Sequence, residues 1–244
     1  MLLPSPLVPA RFRRRLNRFT AEAELLNGEP VLAHVPNSGR LTGCALPGVR
    51  CWLAAVEGGG RRLPYRLEVM ETPEGVLVGV NTQRTNALAL EALTGGILTL
   101  PELGQPFSAQ RERSPVPGLR IDLLLSDGRG PYWVEVKNIT LVEGGLALFP
   151  DAVTARGTRH LAALTAIAGA GQRAAVVYVV QREDARAVRA AAEIDPAYAR
   201  AAARAARCGV AFVGVTVQVR LDALNPLRAV PVLVEEPASD TMGP

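Results

Sequence analysis

Two short apolar runs that carry charge constrain this chain more than any other feature. Arg120-Ile121-Asp122-Leu123-Leu124-Leu125 and Tyr132-Trp133-Val134-Glu135-Val136-Lys137-Asn138 are aliphatic, aromatic and β-branched, which is the composition of strands. Ser126-Asp127-Gly128-Arg129-Gly130-Pro131 parts them, a turn of hairpin length. Successive strand side chains alternate faces, so Glu135 and Lys137 share one face and Val136 takes the other. When the two strands pair, Asp122 comes close to Glu135. Any fold for this chain must then seat two carboxylates and one ammonium at a sheet surface.

Carboxylates brought together repel and resist burial unless positive charge joins them. Lys137 offers one charge and a divalent cation two. Hard cations such as Mg²⁺ or Mn²⁺ take oxygen ligands, often one or two carboxylates with water and phosphate oxygens completing the shell. The constellation suits metal-assisted phosphodiester hydrolysis, with Asp122 and Glu135 as ligands and Lys137 stabilising developing charge or orienting water. Lys137 is also the only lysine in the chain. A composition that prefers arginine everywhere else keeps a compact, titratable point charge here. The competing reading is an amphipathic hairpin with a solvated Glu–Lys pair.

With 244 residues and 48% hydrophobic content, one large domain or two small ones can bury a substantial core. A net charge of +4 is compatible with a polyanionic partner. The three cysteines, Cys44, Cys51 and Cys208, lack metal-ligand spacing. Their odd number, with Pro4, Pro6 and Pro9 where an apolar leader would sit, fits a cytoplasmic protein. No apolar run reaches the ~18 residues of a membrane span.

Residues 1–82 read as all-β, with strands expected at 12–26, 30–35, 49–56, 62–71 and 75–81. Asn27-Gly28, Asn37-Ser38-Gly39, Pro47-Gly48, Gly58-Gly59-Gly60 and Pro73-Glu74-Gly75 punctuate them. Five short strands point to a small OB-like β-barrel, a scaffold that binds single strands through a basic face with aromatics. Arg13, Arg14, Arg15 and Arg18, interleaved with Phe12 and Phe19, are candidate phosphate contacts; an arginine-rich solvated strand is the alternative. Asn37-Ser38-Gly39-Arg40 reads either as an anion-binding turn with Arg40 beside it or as a structural turn.

From residue 83 to about 230 the pattern becomes α/β. Thr85 or Asn86 can cap a helix over 87–94 that carries Glu91, by default an exposed glutamate and alternatively a third acidic ligand, and residues 97–118 read as loop with a short strand. Asp151 or Thr154 can cap a helix running to about 169, whose opening places Thr154, Arg156, Arg159 and His160 where an anion would bind. Arg120 and the preceding loop flank the same strands. An apolar strand over 174–180, a helix opened by Asp195-Pro196 and ending near 207, and a strand over 210–219 complete an α/β sandwich with a central mixed sheet. Residues 231–244 read as a tail.

Asp122 and Glu135-Val136-Lys137, between a helix bearing Glu91 and one opening at Asp151 to His160, resemble the core of PD-(D/E)XK nucleases. Pro36-Asn37-Ser38-Gly39, Thr42-Gly43-Cys44, Val80-Asn81-Thr82, Arg120-Ile121-Asp122, Glu135-Val136-Lys137 and the run from Phe149 to Gly157 resemble the sugar fermentation stimulation protein A family. The resemblance covers nearly the whole chain. It implies an N-terminal OB-like domain beside a nuclease-like domain, DNA as partner, a role in regulating sugar (maltose) metabolism, and Asp122, Glu135 and Lys137 as the site. The proline that precedes the first aspartate in the superfamily is Ile121 here. Two functions follow: a Mg²⁺- or Mn²⁺-dependent nuclease, or a non-specific DNA-binding regulator that does not cut. A homodimer is compatible with either.

Overall fold

The computed structural model describes residues 1–56, 63–116 and 119–234. The expected Gly58-Gly59-Gly60 turn, the start of the strand at 62, Pro117 and most of the 231–244 tail lie outside the described residues.

Six strands build the N-terminal domain: β1 (Val8–Asn17), β2 (Thr20–Leu25), β3 (Pro30–His34), β4 (Arg50–Ala55), β5 (Tyr65–Glu71) and β6 (Leu77–Gly79). The sheet order is β3-β2-β1-β4-β5-β6, and a parallel β3–β5 pairing through Ala33 and Tyr65 closes a five-stranded barrel. Closure removes the two edges a five-stranded sheet would otherwise expose. The single strand expected over 12–26 is a hairpin. Asn17 Oδ1 accepts the Phe19 N–H at 2.9 Å, an Asx turn that reverses the chain at Arg18-Phe19 without glycine. Alternate residues fill the barrel, among them Phe12, Leu53, Leu67 and Met70, each worth about 1.5–3 kcal/mol when fully buried.

A 3-10 turn (Thr82–Arg84) leads into α1 (Thr85–Thr94). The turn is capped by Asn81, whose side chain accepts from Gln83 N, while Thr85 and Asn86 are already helical. The residues expected as caps are therefore free for other contacts. The junction is held by Glu68 of β5, whose side chain is fully buried. Arg84 and Arg66 pair with it at 2.9 and 2.6 Å, and Asn81 Nδ2 donates to both its oxygens. Thr82 donates twice to Pro36 O. Gly79 approaches Gln181 so closely that an added Cβ would lie 2.5 Å from Gln181 Oε1.

The second domain contains β7 (Ser108–Val116), β8 (Leu119–Ser126), β9 (Pro131–Ile139), β10 (Val142–Glu143), β11 (Leu146–Phe149), α2 (Ala155–Gly169), β12 (Arg173–Val180), β13 (Ala187–Ala190), α3 (Pro196–Arg207), β14 (Ala211–Val219), β15 (Leu224–Val230) and β16 (Val232–Leu233). The main sheet runs β15-β14-β12-β9-β8-β7, parallel at β9–β12–β14 and antiparallel elsewhere; β10-β11-β13-β16 form a smaller sheet. α1 packs on one face of the main sheet with Leu88, Ala92 and Leu93 against Leu123, Val134, Val136 and Val177. α2 and α3 cover the other with Leu161, Leu164 and Tyr198 against Ile139, Val176 and Tyr178. β12 is buried on both faces, as its unbroken apolar run requires.

Several elements differ from the sequence expectation. Residues 108–116 form a full edge strand whose side chains from Ser108 to Ser114 are all exposed, so no apolar alternation marks it in the sequence. β10, β11 and β13 are too short for a periodicity to register. Val232 and Leu233, expected in the tail, pair β16 with β13.

Removing one partner of a buried ion pair leaves the others uncompensated. Glu68→Ala should therefore lower the unfolding free energy by about 3 kcal/mol, read as a shifted urea midpoint. A shift under a third of that would show that Arg66 and Arg84 find water at no cost.

Candidate active site

The β8–β9 ladder is regular from Ser126↔Pro131 to Leu123↔Val134. Continued by one step it would set Asp122 opposite Glu135. The ladder stops there instead. Ile121 packs into the core under α2 and Leu123 into the core under α1, so β8 turns over at Asp122. The carboxylate takes the place of a backbone acceptor: Asp122 Oδ2 accepts the Val136 N–H at 2.9 Å, and Oδ1 accepts from Asn86 Nδ2 at 3.3 Å.

Glu135 is 2% exposed. Its Oε1 accepts from Lys137 Nζ at 2.5 Å and is also bonded by His160 Nδ1. Its Oε2 is buried with no hydrogen-bond partner among the described residues. His160, expected as a phosphate contact or as a half-buried residue of a solvated face, is 5% exposed. One helical turn back, Arg156 Nε donates to His160 Nε2 at 3.4 Å. A neutral ring protonated at Nδ1 satisfies both contacts, an assignment that follows from the hydrogen-bond network. Histidine four residues after an arginine at the start of α2 was visible in the sequence; its inward turn toward Glu135 was not.

The two carboxyls titrate in opposite directions. Burial and the charge of Glu135 push Asp122 above its ordinary 3.8, against the Val136 N–H, Lys137 and Asn86. Burial also acts to raise Glu135, but His160 and Lys137 outweigh it and hold that group below its ordinary 4.5. Glu135 is thus the settled anion. Asp122 is the carboxyl whose ionisation its surroundings oppose.

Glu91 does not join the cluster. Its carboxylate is half-exposed and lies 3.2 Å from the Met1 ammonium; α1 contributes Asn86 instead. Among the described residues no group of three His, Cys, Asp or Glu side chains converges in a metal-binding arrangement, and the acidic set here is Asp122 with Glu135.

The arginines divide by partner. Arg13 and Arg14 pair across the hairpin with Glu24 and Glu22. Arg15 turns inward to donate to the carbonyls of Gly39, Arg18 and Asn37, and burial lowers its pKa. Arg120 pairs with Glu112 at 2.9 Å. Arg40 and Arg159 are exposed, and Arg18 lies 5.8 Å from the Phe19 ring centroid. Thr154 caps α2, accepting from Gly157 N at 3.1 Å. Asp151 accepts the Leu41 N–H at 3.1 Å and so ties the second domain to the barrel loop. That loop is internally bonded, Asn37 accepting from Gly39 N and donating to Val80 O, which is the structural-turn reading of Asn37-Ser38-Gly39. Because an added Cβ at Gly39 would lie 2.7 Å from Asp151 Oδ2, the glycine permits this approach.

Two family models match the chain. That of the SfsA N-terminal OB domain covers residues 14–80, and that of the sugar fermentation stimulation protein RE domain covers residues 83–223. The chain belongs to the sugar fermentation stimulation protein family. A homolog from Paramagnetospirillum magneticum is 45% identical over 226 residues, covering 92% of this chain and 94% of that one. One from Halorhodospira halophila is 46% identical over 235 residues, covering 94% and 97%. The structure of Pyrococcus furiosus SfsA in complex with Ca²⁺ is 26% identical and matches with a TM-score of 0.84 over 96% of this chain and 98% of that one. The family thus accounts for both domains. No helix among the described residues is long and apolar enough to cross a membrane.

A carboxyl whose folded pKa is raised stabilises the fold fully below its unfolded value, about 3.8, and loses that contribution as pH rises through the folded value. At neutral pH an ionised Asp122 therefore strains the fold. Asp122→Asn should raise the unfolding free energy at pH 7 in EDTA by about 0.5–2 kcal/mol, with the gain shrinking toward pH 4. A variant less stable than the parent at pH 7 by thermal denaturation would contradict this electrostatic account.

Proposed function

We propose that the chain is a metal-dependent nuclease with nucleic acid, DNA in the first instance, as substrate. The observation that carries this reading is the buried, unpartnered Oε2 of Glu135 beside the elevated carboxyl of Asp122. A buried anionic oxygen without a donor costs several kcal/mol, and a hard divalent cation is the natural group to meet it. The donor set fits Mg²⁺ or Mn²⁺: two carboxylates from adjacent strands, with room in the shell for water and phosphate oxygens. Pyrococcus furiosus SfsA, solved in complex with Ca²⁺, supports divalent binding in that relative.

A cation bound by Asp122 and Glu135 would polarise the phosphate and lower the pKa of a bound water. The chain's own residues do the rest. Lys137 and His160 fix Glu135 through Oε1, which leaves Oε2 for the cation. Asn86 and the Val136 N–H orient Asp122. Lys137, on the same strand face as Glu135, carries the charge that stabilises a developing phosphorane or orients water. Arg156 and Arg159 at the start of α2 supply cationic charge to the phosphate backbone, and Arg18 and Arg40 extend it across the barrel. The regulatory alternative, binding without cutting, leaves the orphaned Oε2 without a role.

Purified protein should cut at least one of single-stranded DNA, duplex DNA and RNA in Mg²⁺ or Mn²⁺, and not in EDTA. Asp122→Ala should abolish cutting. Binding without cleavage under every condition would replace the nuclease by the regulator. Lys137→Arg should retain binding but lose about 10²-fold or more in single-turnover rate, since a planar fork cannot substitute for a point charge at Glu135. An arginine variant with full activity would remove any lysine-specific role.

A further inference from the structure

Between the barrel and the second domain lies a cavity of about 240 Å³, apart from the carboxylate cluster and unused by the hydrolytic reading. Its walls come from the motifs that the two domains present to each other: Asn37 to Gly39 from the barrel loop, Asn138 to Leu141 from the end of β9, and Leu148 to Thr154 before α2. Both elements of the second-domain wall also build the acidic site. Asn138 follows Lys137 on β9, and Thr154 caps the helix whose His160 holds Glu135.

We propose that this cavity accepts one unpaired nucleobase of the substrate strand; the inference rests on the nucleic-acid reading above and narrows the substrate to strands with at least one base free of pairing. Size is the first reason. The volume falls below the roughly 300–1,000 Å³ of sites for drug-sized ligands, so it suits one ring system and not a base pair. The lining is the second. Leu141, Leu148, Phe149 and Pro150 offer apolar faces to a ring, while Asn138 Nδ2, Ser38 Oγ and Thr140 Oγ1 have no hydrogen-bond partner among the described residues. Asn138 is already oriented through its Oδ1 by Gln181 and Thr85, so its amide nitrogen is a preset donor for a base edge.

Charge is the third reason, and it selects a base over a phosphate. Arg18 is the one cationic side chain among the described lining residues, and the Asp151 carboxylate sits with it. A neighbouring aromatic contact completes the case. Arg18, which lines the cavity, also lies over Phe19, which is 47% exposed and 6.5 Å from the ring of the half-buried His34. An exposed aromatic side chain beside an arginine is a surface on which a single strand can stack.

The test uses the full-length Asp122→Ala protein, so that substrate survives, and single-stranded oligonucleotides in which one abasic nucleotide is moved stepwise along the strand. Binding is read by fluorescence anisotropy. One position should weaken binding about tenfold, the size of one lost stacked base, and the others by less than about twofold. Ser38→Trp and Val153→Trp fill the cavity from exposed positions, Val153 being 76% exposed, and either should flatten that difference. A uniform abasic profile, a tenfold position that persists in both tryptophan variants, or fully paired duplex bound as tightly as single strand overturns the proposal. Position-specific binding by a protein whose parent never cuts would spare this inference and sink the nuclease. Cutting by a parent whose abasic profile is uniform would do the reverse.

Discussion

A carboxylate buried with one oxygen satisfied and the other not sets the terms for the second domain. Glu135 is charged at neutral pH because Lys137 and His160 share its Oε1. Without them, burial at 2% exposure would neutralise the group. Lys137 comes with the strand, two residues on. His160 has to be delivered by α2, so the helix must sit at one height over the sheet. Thr154 caps it, Gly157 lets it approach α3 where a Cβ would lie 3.1 Å from Tyr198 Cε2, and Tyr198 bonds Tyr178 of β12 at 2.8 Å beneath. The packing of α2 on α3 and β12 is thus a condition of the charge state of Glu135.

The same logic explains why β8 breaks where it does. A regular ladder would set Asp122 and Glu135 side by side on one face, two charges in low dielectric with one ammonium between them. Turning the strand over at Asp122 gives its carboxylate a backbone N–H and the Asn86 amide. These offset part of the desolvation, but Asp122 remains elevated. Two carboxyls pushed in opposite directions by their surroundings make this cluster a candidate site.

The strands, their turn and the shared face of Glu135 and Lys137 were legible in the sequence because period-two alternation and glycine-rich turns are local. So were the barrel, the caps at Thr154 and Asp195, and the buried strand at β12. What escaped was set by distant partners. His160 reads either as a phosphate contact or as a half-buried side chain on a solvated face, and only the position of Glu135 beneath the helix draws it fully in. Glu91 and Asn86 lie on one short helix; the default reading of Glu91 as an exposed glutamate holds, its alternative role as a ligand does not, and the junction at Glu68 and Arg84 sets the rotation of α1 so that it presents the Asn86 amide instead. Arg13, Arg14 and Arg15 looked like an open basic face. Hairpin register pairs two with glutamates, and the third is spent on the carbonyls of the 37–39 loop.

That expenditure of Arg15 has a consequence for how the two domains work together. Its guanidinium holds the barrel loop by three carbonyls, and Asp151 holds the same loop from the other side through Leu41 N. The loop is clamped between the domains by groups of opposite charge, each largely consumed by the contact. A basic barrel loosely tethered to a catalytic domain would present phosphate contacts that move relative to the carboxylates. Here Arg18, whose Nε donates to Ser38 O at 3.5 Å, and the exposed Arg40 bracket a loop fixed through Asp151 to the segment that opens the helix carrying His160. The exposed arginines of the barrel and the carboxylates of the second domain then keep a constant separation.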